Sequence, residues 1–126
     1  MAQACMKAAT GTLAGFEAKW FAGASVCVVI ASKGYPGDPQ TGVPIHGLRE
    51  AAQVPGVVVF HAGTRRSGEQ FQTSGGRVLV VTAMGKDIES ARRTAYEAVS
   101  RIKIEGAHYR RDIGMKSLAA AKMRGG

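Results

Sequence analysis

Thr73-Ser74-Gly75-Gly76-Arg77-Val78-Leu79-Val80-Val81-Thr82-Ala83 is the stretch whose reading decides the fold. Six residues of apolar, largely β-branched character after two glycines and an arginine spell a buried strand entered from a turn. Glu69 to Thr73 on the near side also reads as a strand, so the pair is expected to form a hairpin joined through Ser74-Gly75-Gly76. The same turn carries chemistry. Glycines let the main chain approach an anion closely, and Arg77 can add a two-pronged guanidinium contact. The plainer account is a hairpin turn followed by a surface arginine, and spacing alone favours it.

Upstream, Val26-Cys27-Val28-Val29-Ile30-Ala31 is short, β-branched and bounded by turn formers, which predicts a second buried strand in which Cys27 acts as a small hydrophobe. Gly56-Val57-Val58-Val59-Phe60-His61 predicts a third. Between them, residues 33–44 hold three glycines and three prolines in twelve positions, which excludes regular structure and stiffens the segment into an ordered loop. Ile45 to Gln53 is expected to form a short helix after Pro44. At the start, residues 2–14 predict a helix weakened by Gly11, with Trp20 and Phe21 as anchoring aromatics behind it.

Downstream lies the clearest helix, predicted from Ile88 to Ile104. Asp87 is placed to cap it, and Ile88, Ala91, Ala95, Val99 and Ile102 form an apolar stripe at helical spacing. Glu89, Arg93, Glu97 and Arg101 step along another face at intervals of four. Gly106 is expected to end that segment. A last helix is predicted over Lys116 to Lys122, with Arg124-Gly125-Gly126 fraying.

At 126 residues the chain fits one domain, residues 1–126, able to bury roughly two thirds of its unfolded surface without staples. Cys5 and Cys27 are expected to be reduced, as is usual in cytosolic chains. No secretory leader is legible at the start, and the uncharged stretch from Trp20 to Ser32 is far short of the roughly 20 residues that span a bilayer. A cytoplasmic protein without membrane contact is the expectation. The formal net charge is +8, and it is lopsided: residues 1–63 hold four Lys/Arg against three Asp/Glu, residues 64–126 thirteen against six. A pI near 10 points to anionic partners.

The remaining motifs are mostly absences. No phosphate-binding loop of the Gly-x-x-x-x-Gly-Lys-Ser/Thr type, no dinucleotide fingerprint, no nucleophile elbow and no paired carboxylates in an apolar setting occur. His46, His61 and His108 do not pair at metal-ligand spacing, and His61 reads as a turn residue. No metal and no catalytic residue is assigned. Tyr109-Arg110-Arg111-Asp112 forms a second basic cluster, for which a self-paired, solvated Arg–Asp unit is the simpler account.

Taken in order, Ala31-Ser32-Lys33-Gly34-Tyr35-Pro36-Gly37, Val59-Phe60-His61-Ala62-Gly63-Thr64, Gly75-Gly76-Arg77 through Ala83, and Tyr109-Arg110-Arg111-Asp112-Ile113-Gly114 resemble the C-terminal domain of phosphoribosylamine-glycine ligase, also called glycinamide ribonucleotide synthetase. Trp20 ahead of the first strand and Ala95-Tyr96-Glu97-Ala98 in the long helix look like the same family. The resemblance covers nearly the whole chain, and four blocks in order are far more specific than one. It places the chain among ATP-grasp ligases of purine biosynthesis, in which ATP phosphorylates the glycine carboxylate and 5-phosphoribosylamine displaces phosphate from the acyl phosphate.

Several expectations follow from that resemblance. The fold is α+β, a small antiparallel sheet with helices packed on one face, a rudimentary form of the C-terminal domain of ATP-grasp carboxylases. ATP with Mg or Mn belongs to the complete enzyme, in the ATP-grasp domains that precede this one, and this chain alone is expected to bind neither tightly and to be inactive. Its partners are those domains and the phosphate group of 5-phosphoribosylamine. Arg77 is the first choice for that phosphate, with Gly75 and Gly76 as main-chain donors. Arg111 and Asp112 are secondary substrate-binding candidates. The family's Gly-Tyr-Pro-Gly loop usually continues to a Lys-Gly pair where Thr41-Gly42 stands here, so no cationic contact is assigned to it. The rival reading is a small basic RNA-binding module in which Arg65, Arg66, Arg110, Arg111 and the terminal Lys/Arg residues track a backbone. Seven aromatics besides Trp20, with no exposed Tyr/Phe pair on a strand, argue against nucleic acid.

Overall fold

The computed structural model describes residues 1–124. Its architecture is α+β, built on two three-stranded antiparallel sheets. In the larger sheet, β6 (Arg77–Gly85) lies between β1 (Ala24–Ala31) and β3 (Val57–His61). In the smaller, β5 (Gln70–Thr73) lies between β2 (Pro44–Ile45) and β4 (Thr64–Ser67). The run from Arg77 to Ala83 therefore lies in the central strand of the larger sheet. Its apolar run is continuous because residues on both faces are shielded at least in part.

Alternation sorts the two faces. Val26, Val28 and Ile30 on β1 and Leu79, Val81 and Ala83 on β6 are buried, and they meet Ala91, Ala95, Ala98 and Val99 of α3 (Ile88–Arg101). Three alanines on the contacting stripe let the helix approach the sheet closely. A short helix, α2 (Leu48–Ala52), packs beside α3 and β3 through the fully buried Ala51. The helices thus cover one face of the larger sheet, as expected. Cys27 corrects an expectation: it is exposed, because Val26 and Val28 take the inward positions and period two sends the residue between them outward.

The hairpin expectation fails. Residues 74–76 do not return the chain alongside its own preceding strand; they carry it from the centre of one sheet to the centre of the other. Gln70–Thr73 pairs instead with Thr64–Ser67 through the two-residue loop Gly68-Glu69, where Gly68 has a φ of +61°. Thr73, fully buried, holds the smaller sheet to the proline-rich loop: its Oγ1 donates to the Gln40 carbonyl (3.1 Å) and accepts the Val43 N–H (3.0 Å). That loop is irregular from residue 33 to 43, with a cis Tyr35–Pro36 peptide, and enters β2 at Pro44.

Other boundaries shift for local reasons. The expected helix over 45–53 begins only at Leu48, because Ile45 is in β2 and His46 bridges Lys103 in both directions (3.0 Å each). That same bridge pulls Lys103 out of helical geometry, so α3 stops at Arg101 rather than Ile104. Asp87 caps α3 as expected: its Oδ1 accepts the Ser90 N–H (2.7 Å), and Ser90 Oγ accepts the Asp87 N–H in return. The first helix, α1 (Ala2–Ala9), ends before Gly11 (φ +68°) and buries no residue. With nothing to anchor on, Trp20 and Phe21 are 86% and 90% exposed, against expectation. The last helix, α4 (Met115–Arg124), runs through Arg124, and the fraying expected of Gly125 and Gly126 lies outside the described residues.

Candidate functional site

Where β1 ends, its last residues meet the chain crossing between the sheets. Ser32, 1% exposed, donates its N–H to the Gly76 carbonyl (2.9 Å) and its hydroxyl to the Gly75 carbonyl (2.9 Å). On the other side, Gly63 N–H donates to the Arg77 carbonyl (2.7 Å) and Ser74 N–H to the Gly63 carbonyl (2.8 Å). Residues 74–77 are thus clamped from both flanks through backbone groups. Both glycines point their carbonyls at Ser32, while their own N–H groups meet no acceptor among the described residues.

Close approach explains the glycines. A Cβ on Gly76 would collide with the Tyr35 ring, and one on Gly63 would lie 2.8 Å from the Arg77 carbonyl oxygen and 2.9 Å from the Gly75 Cα. Tyr35, Pro36, Gly63, Gly75, Gly76 and Arg77 line an open groove of about 700 Å³, floored at one end by Val29 and Val80. Arg77 is the one charged residue in that lining. Among the described residues the ion pairs are Glu97–Arg101 and Arg110–Asp112, so the Arg77 guanidinium is left to solvent or to a ligand. One unpaired cation, two free main-chain donors and an aromatic wall can bind a phosphate ester on a small polar body.

Gly75, Gly76 and Arg77 all line the groove, and the turn bearing them is a crossing between sheets rather than a hairpin. Arg111 and Asp112 are placed elsewhere. Their segment pairs through the His108 backbone with Ala31, on the edge of β1 away from Arg77, then lies along α3. There Arg92 donates to the carbonyls of Ile113 (3.0 Å) and Arg111 (2.6 Å), and the Tyr96 hydroxyl donates to that of Arg110. Asp112 is engaged by Arg110 through two bonds of 2.9 and 2.6 Å, which hold its carboxyl below the ordinary range. Arg111 lies over the Tyr109 ring, 5.9 Å from its centroid. Neither residue lines the groove.

His61 is the last residue of β3, paired with Leu79, rather than a turn residue; its Nδ1 is 2.9 Å from Thr64 Oγ1, and its ring stacks obliquely on Phe71. Among the described residues no three His, Cys, Asp or Glu side chains lie close enough to hold a metal ion. The donor set therefore does not fit a nucleotide's metal, and no step through ATP or metal is assigned to residues of this chain. Ser32 and Thr73 were not singled out by sequence reasoning, since a lone buried hydroxyl has no spacing to betray it.

A family model described as phosphoribosylglycinamide synthetase, C domain, matches residues 25–116, which contain the whole groove. Phosphoribosylamine--glycine ligase of Streptomyces coelicolor is 50% identical over 118 residues, covering 91% of this chain and 28% of its own length. The chloroplastic ligase of Arabidopsis thaliana is 46% identical over 120 residues, covering 94% and 23%. The crystal structure of the Thermotoga maritima phosphoribosylamine--glycine ligase superposes with a TM-score of 0.66 at 33% identity, over 87% of this chain and 27% of that one. The chain spans about a quarter of the length of the relatives it matches.

Proposed function

We infer that this chain, which belongs to the phosphoribosylglycinamide synthetase C-domain family, is the substrate-capping part of a phosphoribosylamine-glycine ligase. The complete enzyme joins glycine to 5-phosphoribosylamine as ATP goes to ADP and phosphate, through glycyl phosphate, in purine biosynthesis. ATP and its metal belong to the ATP-grasp portion, and this chain holds the phosphoribosyl substrate against it. The observation that carries the reading is the groove at residues 75–77, with its lone guanidinium and two unengaged N–H groups. Charge-assisted bonds of this kind contribute roughly 1.5–3 kcal/mol each, enough to position a substrate and not enough to perform the chemistry.

Arg77 and the N–H groups of Gly75 and Gly76 are assigned to the 5-phosphate; Arg111 and Asp112 support the segment beside α3. No helix is long and apolar enough to cross a membrane among the described residues, and a cytoplasmic setting is proposed with the enzyme. RNA tracking draws no support from the arrangement, since Arg110 is bound to Asp112 and Arg111 lies on Tyr109.

The test uses a hybrid ligase in which this chain follows the preceding three quarters of the Streptomyces coelicolor relative. Arg77→Ala is expected to raise its KM for phosphoribosylamine roughly 10- to 100-fold and to leave the KM for ATP in place. An unchanged phosphoribosylamine KM overturns the assignment.

A further inference from the structure

The outward face of the larger sheet is a second, unassigned feature. Three rows cross it in register: Val29–Val80–Phe60, then Cys27–Thr82–Val58, then Ser25–Met84. Phe60 is 53% exposed, Val58 51%, Met84 57% and Val29 38%. An antiparallel sheet with one solvated face ordinarily presents polar residues outward. Here those rows hold no charge, in a chain whose net charge is +8. A contiguous apolar patch with charge confined to its surroundings is the composition of a buried interface core.

We propose that this face is the seat of the remaining portion of the ligase, packing on the Val29–Phe60 and Cys27–Val58 rows as the sheet's missing second layer. The proposal rests on the ligase reading above. Two observations select that occupant. About three quarters of the length of the matched relatives lies outside this chain, so in a ligase of their length a large body is joined to this domain. The face is also continuous with the groove: Val29 and Val80 belong both to its first row and to the groove lining that includes Arg77. A body seated on the rows closes the groove from its open side and brings its own groups to whatever Arg77 holds. A second copy of this chain is the poorer occupant, because it brings another +8 charge to the basic corner at Arg77.

Cys27, exposed in the middle row, is a native reporter. In the isolated chain its alkylation by N-ethylmaleimide, read by mass spectrometry of the Cys27 peptide, is expected to be fast. In the hybrid ligase the same peptide is expected to react roughly tenfold more slowly or slower still, because reaction then requires the layers to open. Phe60→Asp is expected to leave the circular dichroism of the isolated chain unchanged and to restore fast Cys27 alkylation in the hybrid. An active hybrid whose Cys27 reacts as fast as in the isolated chain overturns the proposal, as does protection that survives Phe60→Asp. An isolated chain that sediments as a dimer with Cys27 protected overturns it in favour of a second copy. A hybrid with Cys27 protected but Arg77→Ala silent in KM upholds the docking face and removes the substrate assignment.

Discussion

Ser32 Oγ donates to the Gly75 carbonyl at 2.9 Å, joining the end of the first long strand to the crossing between the two sheets. Forty-three positions separate the two residues, so the bond is purely tertiary. Ser32→Ala removes the donor and leaves the Gly75 carbonyl facing a methyl group in a buried site. A loss of about 1–3 kcal/mol is expected, as for a buried acceptor deprived of its partner. Urea unfolding of the isolated chain measures it. A midpoint equal to that of the parent would show that the crossing is held by its backbone bonds alone.

Gly76→Ala tests whether close approach is the reason for glycine at that position. The added Cβ collides with the Tyr35 ring, and overpacking of this order costs about 1–3 kcal/mol. Combining it with Tyr35→Ala is expected to return part of that loss, since the obstacle is then gone. If the double variant is as unstable as the sum of the single ones, the ring is not what glycine accommodates. Equilibrium denaturation of the four proteins completes the cycle.

How much of this was legible follows from what each element needs. The strands β1, β3 and β6 announced themselves because both faces of the sheet carry apolar residues, and α3 because its stripe and its cap coincide. β4, Thr64–Ser67, was invisible: Thr-Arg-Arg-Ser is polar on both faces, so no alternation marks it as an edge strand. Missing β4 left Gln70–Thr73 with no visible partner except β6, and the hairpin expectation followed. The groove's glycines and arginine were legible through the resemblance, whereas their clamp, Ser32, depends on a tertiary bond. Cys27 was misread because a run of apolar residues does not tell which alternate positions face inward. Trp20 and Phe21 were misread because aromatic character implies burial only where something is present to bury against.

Asp87 gives a prediction in pH. Its carboxyl is held below the ordinary value of 3.8, first by the Ser90 backbone N–H and then by the Ser90 side chain. A folded-state value below the unfolded one means that the ionised form stabilises the fold. That contribution is fully present above the unfolded value and is lost as pH falls through the lowered one. Asp87→Asn keeps a capping oxygen but cannot ionise. Parent and variant are expected to differ in stability at neutral pH and to converge as pH falls below 3.8; thermal unfolding across that range checks it. A difference that stays constant with pH would mean that the charge of Asp87 contributes nothing.

Leu79 and Val80 are adjacent on the central strand and face opposite ways. Leu79 is fully buried against the helical layer, and Val80 is part-exposed on the outward face. Leu79→Ala opens a cavity in the one region where strands β1 and β6 and helix α3 meet, and a loss of about 2–5 kcal/mol is expected. Val80→Ala removes little buried surface from the isolated chain, and its cost there is expected to stay within about 0.5 kcal/mol, as at other solvent-facing sites. In the hybrid ligase the order of sensitivity changes, because both faces are then covered: Val80→Ala gains a cost that it lacks in the isolated chain, while the effect of Leu79→Ala is already complete in this chain. Urea midpoints of both variants, in both proteins, therefore distinguish the layer this chain supplies from the layer it lacks. A Val80→Ala effect of equal size in the two proteins would mean that nothing settles on that face.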